Sequence, residues 1–179
     1  MSTLQTTRFG VLEYDEQDVI LLAAGLIGLP DLKRWILCDM DREVPMKWLQ
    51  SLDREQFCIP VTTPAYFRDG YEVILPQDVS GELGGGQAED YVVLIITTVH
   101  PGGERITGNL AAPLVVHGGT RRGVQLALEE PSLSMHEEID YLKFGLAVGR
   151  EGAENEAGQP GGTPDQAEPD NVEPLVLSP

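Results

Sequence analysis

Positive charge is scarce in this chain. Only 12 Lys and Arg stand against 29 Asp and Glu in 179 residues, a formal net charge of −17. A surface this acidic repels nucleic-acid phosphates and anionic membrane surfaces, so direct binding to either is not expected. It attracts a basic partner, such as a basic RNA-binding protein, or it serves solubility alone. Cysteine is nearly absent. Cys38 and Cys58 each sit in an apolar run, beside Leu37 and Ile59, where a free thiol packs as a small hydrophobe. No apolar run approaches the ~18 residues of a membrane span. The segment Met1-Ser2-Thr3-Leu4-Gln5-Thr6-Thr7-Arg8 lacks the basic-then-apolar order of a signal peptide. A cytoplasmic location is the expectation that remains.

The signatures of catalysis are missing as well. The glycine cluster Gly81-Glu82-Leu83-Gly84-Gly85-Gly86 has no Gly-Lys-Ser/Thr ending, and an acidic stretch and a strand follow it. A phosphate loop needs a helix N-terminus at that place, so the cluster reads as a turn. His100, His117, His136 and the two cysteines show none of the close paired spacings of structural zinc sites. There is no Gly-x-Ser-x-Gly. Pairs such as Glu129-Glu130 and Glu137-Glu138 suit a solvated face in so acidic a chain. The expectation is therefore a protein that is not an enzyme, with no catalytic residue, cofactor or metal.

What the sequence has is short strands. Met46, Trp48, Gln50 and Leu52 alternate with Lys47, Leu49, Ser51 and Asp53, a period of two with one largely apolar face. Phe57, Ile59 and Val61 repeat the pattern, and so do Tyr71, Val73 and Leu75. Tyr91 to Val99 is β-branched nearly throughout, which predicts a central strand covered on both faces. Leu114–His117 and Val124–Leu128 flank a glycine-rich connection and predict a hairpin. Prolines such as Pro45, Pro60, Pro76 and Pro113 mark edges, bulges or turns. The pattern predicts an all-β, antiparallel barrel-like fold. One short C-terminal helix is expected, started by the capping box Ser134-Met135-His136-Glu137 and continued by Ile139, Leu142 and Leu146. Composition changes near Gly149. Residues 1–149 read as the β domain. Residues 150–179, rich in Gly, Pro and acidic side chains, read as a disordered tail with one apolar patch, Leu175-Val176-Leu177.

Together, several segments resemble the FliW family. Trp48-Leu49-Gln50-Ser51-Leu52, followed by Phe57-Cys58-Ile59-Pro60-Val61, is similar to that family's strand–turn–strand pattern. Asn109-Leu110-Ala111-Ala112-Pro113 is similar to a second signature leading into a strand. Gly25-Leu26-Ile27-Gly28-Leu29 and Arg122-Gly123-Val124-Gln125 match two turns in the same order. The resemblance covers about Thr7 to Glu130; Leu29 stands where an aromatic is common, and the chain runs on past the family's last strand. It implies a barrel-like β fold and two partners. One is flagellin, which the family holds in the cytoplasm before export. The other is CsrA, an RNA-binding translational repressor that the family antagonises, relieving repression of flagellin synthesis.

The candidate partner-binding residues are Leu49, Gln50, Tyr66, Phe67 and Asn109. Leu49 falls on the face opposite Trp48, and a charged residue there separates a contact role from a core role. Tyr66 and Phe67 supply aromatic surface for an amphipathic helix. Gln50 and Asn109 are amides in apolar surroundings that need hydrogen-bond partners. A monomer is expected. The alternative is a small-ligand-binding β-barrel, since barrels of this size hold ligands in their mouths.

Overall fold

Alternation of apolar and polar side chains builds the molecule from short strands. A computed structural model describes residues 1–39, 44–150 and 175–177. The first half contains β1 (Ser2–Thr6), β2 (Gly10–Tyr14), β3 (Ile20–Leu22), β4 (Arg34–Cys38), β5 (Lys47–Ser51), β6 (Cys58–Thr62), β7 (Val73–Leu75) and the helix α1 (Gln77–Leu83). The second contains β8 (Tyr91–Val99), β9 (Ile106–Gly108), β10 (Leu114–His117), β11 (Arg122–Gln125), β12 (Glu137–Glu138), the helix α2 (Tyr141–Arg150) and β13 (Leu175–Leu177).

Seven strands close into a barrel in the order β10-β11-β3-β4-β5-β6-β8, with β8 pairing back to β10. Every neighbouring pair in it is antiparallel except β11–β3, which is parallel. Gly123 makes that parallel seam possible. A Cβ there would meet Leu22 Cδ2 at 2.8 Å and the Val115 carbonyl at 2.9 Å. The barrel interior is filled by side chains, among them Trp35, Leu22, Leu49, Val61, Leu94 and Leu114, all buried.

The middle of β8, from Val93 to Thr97, is covered on both faces, as its β-branched composition predicts, while Val92, Thr98 and Val99 are exposed. Leu94 faces the barrel interior. Val93 and Ile95 face a second core on the outside, formed with Phe67, Tyr71, Val73, Leu75, Leu83 and others. β7 and α1 supply much of that outer layer. α1 is absent from the sequence expectation because it is seven residues long and contains Gly81, a poor helix former. The following Gly84 has φ 131° and ends the helix, so the glycine cluster closes a helix and opens none.

The N-terminal hairpin β1–β2 stands outside the barrel as its own two-stranded sheet. Its tip is fastened by Arg8, whose guanidinium lies 3.6 Å from the Trp48 ring centroid, and by Phe9, edge-on to the same ring. Such hairpins are marginal alone, so this clamp accounts for the half-burial of Trp48.

Two expectations are corrected in position. The late helix starts at Tyr141, six residues after Met135. Glu137 and Glu138 pair with β9 instead, opposite Gly108 and Thr107. The cap is Asp140, whose Oδ1 accepts from the Leu142 and Lys143 amides. Ser134 Oγ accepts the His136 amide. Within the tail, Leu175–Leu177 form a strand on β7, and residues 151–174, 178 and 179 lie outside the described residues.

Candidate functional site

The chain's irregular connections converge on one surface groove. Along one edge of β8, β9 pairs with Thr97–Val99 and β10 with Tyr91–Leu94. The five residues Asn109–Pro113 cross between these two pairings. The Asn109 amide still donates to the Ile96 carbonyl at 3.0 Å, and the chain then leaves the ladder until Leu114. Ala111 and Ala112 fill this crossing with small side chains, and an open groove remains beside it.

The groove has a volume of about 560 Å³. Ile59 and Ile96 form its floor, Ala112 and Leu128 its flank, and Ile27 and Met135 its rim. The rim residues are 59% and 61% exposed. The turn Gly25–Leu29 carries Ile27. Gly25 has φ +71°, and a Cβ there would meet the Leu29 carbonyl oxygen at 2.5 Å, so only glycine fits. Gln125 holds the turn in place. Its Oε1 accepts from the Ile27 amide at 2.8 Å, and its Nε2 donates to the Ala112 carbonyl at 3.1 Å. One amide side chain thus joins both sides of the groove.

Asn109 lines this groove, and its Oδ1 is buried with no hydrogen-bond partner among the described residues. An unsatisfied buried acceptor costs about 1–3 kcal/mol.

The other sequence candidates lie elsewhere. Leu49 is 0% exposed inside the barrel. Gln50 is also buried. Its Nε2 faces the carbonyls of Ser51, Glu55 and Phe57 at 3.0 to 3.1 Å, while Ser51 Oγ accepts the Asp53 and Arg54 amides. The Gln50–Ser51 pair therefore holds the β5–β6 turn. Tyr66 packs edge-on against Phe144 of α2, with ring centroids 5.6 Å apart. Phe67 is buried against Gly108. Asn109 alone of the five reaches the groove. Ile27, Ile59, Gln125 and Met135 carry no local sequence signal of contact, although Gln125 and the Gly25–Leu29 turn stand in the sequence signatures.

The family model described as FliW protein matches residues 3–139. The chain belongs to the FliW family. It is 36% identical over 143 residues to flagellar assembly factor FliW 2 of Desulfotalea psychrophila, covering 80% of this chain and 93% of that protein. It is 32% identical over 124 residues to flagellar assembly factor FliW of Syntrophotalea carbinolica, covering 69% and 88%. A crystal structure of the flagellar assembly factor FliW superposes with a TM-score of 0.71 at 24% identity, covering 76% of this chain and 96% of that one. That structure supports the FliW barrel as the fold. Of the segments that carried the resemblance to FliW, the Gly25–Leu29 turn, β6 at Ile59, Asn109–Ala112 and Gln125 meet in the groove, whereas Trp48–Leu52 does not line it.

Among the described residues no group of three or more His, Cys, Asp or Glu could hold a metal ion. His100 Nε2 faces Thr107 Oγ1. His117 Nε2 donates to the Gly85 carbonyl while its Nδ1 accepts the Gly119 and Thr120 amides, so this ring ties the loop after α1 to β10. No helix among the described residues is long and apolar enough to cross a membrane.

Both cysteines are free. Burial pushes Cys38 and Cys58 up from 9.0 to about 11. The unfolded chain ionises these thiols near 9 and the folded chain near 11, so folding favours the protonated form. Their contribution to stability is complete below pH 9 and is lost as pH rises toward 11. Urea midpoints are expected to fall over that interval, and the Cys38→Ala/Cys58→Ala variant is expected to show a shallower fall.

Proposed function

We propose that this protein is a cytoplasmic, non-enzymatic flagellar assembly factor that holds flagellin before export and antagonises the repressor CsrA. The groove around Asn109 is the observation that supports this reading most. It is apolar, open and bordered by two exposed side chains, Ile27 and Met135. An amphipathic helix from flagellin fits such a surface with anchors at i, i+3, i+4 and i+7.

Charge serves the second partner. A body carrying a net −17 meets a basic RNA-binding protein with complementary potential. Docked beside the RNA surface of CsrA, its carboxylates oppose RNA phosphates within the Debye length, about 8–10 Å at physiological salt. The test is a titration of CsrA with a flagellin leader RNA. Adding this protein is expected to weaken RNA binding, with a smaller effect as salt rises. Unchanged RNA affinity at low salt would refute the antagonism.

A further inference from the structure

Outside the groove, the structure holds a second interaction surface, and a segment of the chain itself already sits on it. Among the described residues β7 pairs with one strand only, β13, in a two-stranded sheet separate from the barrel. The pairing is antiparallel, with Leu175 opposite Leu75, Val176 opposite Ile74 and Leu177 opposite Val73. Leu177 is 1% exposed and enters the outer core with Val73, Leu75, Leu83 and Tyr91. β13 runs beside the turn at Ala88–Asp90.

The match to the family model ends at residue 139. The strand that completes β7 thus comes from outside the family-matched part of the chain. Within the matched part, β7 offers a free edge beside an apolar seat, and such an edge recruits an extended segment by main-chain hydrogen bonding. We propose that Val73–Leu75 is a strand-accepting peptide site whose resident is Leu175–Leu177 of the same chain, held there in exchange with the open state. The seat consists of backbone plus one pocket, filled here by Leu177, so it recognises an extended segment that carries one apolar anchor. None of its residues lines the groove.

A tether supplies its own ligand at an effective concentration of roughly millimolar. A free peptide of the same sequence must compete with it. Removing the resident's anchor therefore raises the apparent affinity for that free peptide. The test uses the full chain and a fluorescent peptide, Asn-Val-Glu-Pro-Leu-Val-Leu-Ser-Pro, identical to residues 171–179. Leu177→Asp is expected to bind it about tenfold tighter than the unaltered chain. Leu177→Ala, which adds no charge to the seat, is expected to fall between the two.

Hydrogen exchange at the Val73–Leu75 amides supplies a second reading. Protection is expected to drop in Leu177→Asp and to return when peptide is added. Flagellin affinity is expected to stay within about twofold, because the groove is untouched, so failure here and failure of the groove are distinguishable. Equal peptide binding by all three chains, or none by any, would overturn the proposal. A concentration-dependent dimer that dissociates in Leu177→Asp would also overturn it, because the resident would then belong to a second copy.

Discussion

Leu49→Asp is expected to lower stability by at least about 4 kcal/mol, enough to leave a marginal domain largely unfolded. Leu49 is completely buried between Leu37 on β4 and Ile59 on β6, inside a barrel that also holds Trp35 and Val61. A carboxylate there has no partner and no water, and removal of the leucine side chain alone costs about 2–5 kcal/mol. Chemical denaturation of Leu49→Ala and Leu49→Asp measures both terms. A near-normal midpoint for Leu49→Asp would show that the side chain is exposed in solution and would restore it as a contact residue.

Ile27→Asp is expected to do the reverse. The side chain is mostly exposed at the tip of the Gly25–Leu29 turn, so the change should alter stability by no more than about 0.5 kcal/mol. At the rim of an apolar groove, however, it removes a contact and sets a charge against the incoming helix. Flagellin affinity is expected to fall about 30- to 160-fold, the range of a 2–3 kcal/mol interface residue. The turn is held through the backbone amide of Ile27, which the substitution keeps, so lost binding cannot be traced to a lost turn. Calorimetric titration with flagellin reads the effect. Unchanged affinity would remove Ile27 from the interface.

The contrast between these two residues shows what the sequence carried. Period-two alternation located β5, β6 and β7, because each buries one face against a core, and a nearly continuous β-branched run located β8. It could not say which face of β5 is inside. Leu49 and Trp48 are both large and apolar, and a period of two looks the same from either side. The decision came from afar: Arg8 and Phe9 cover Trp48 from the hairpin tip, and that contact spans forty positions of chain with no local pattern. The helix was displaced for a similar reason. Ser134-Met135-His136-Glu137 satisfies a local capping rule, but the free edge of β9 takes Glu137 and Glu138 into a ladder first.

The groove was legible only in pieces. Gly25, Asn109 and Gln125 were visible as turn and strand-end signatures, yet their meeting depends on the closure of β8 onto β10 and on the Gln125 side chain bridging the Ile27 amide and the Ala112 carbonyl. Ile59 and Ile96 read as ordinary strand residues and gain their role from the gap that Asn109–Pro113 leaves beside them. Residue type alone gave Asn109 its interest, since an amide among apolar neighbours must be paired or available for pairing.

Hydrogen exchange of the full chain with and without flagellin tests the central claim most directly. Binding in the groove predicts added protection at residues 25–29, 109–112 and 125–128, with β1, β2 and β7 unchanged. Protection confined to the β1–β2 hairpin or to β7, with the groove segments exchanging as in the free protein, would contradict the account.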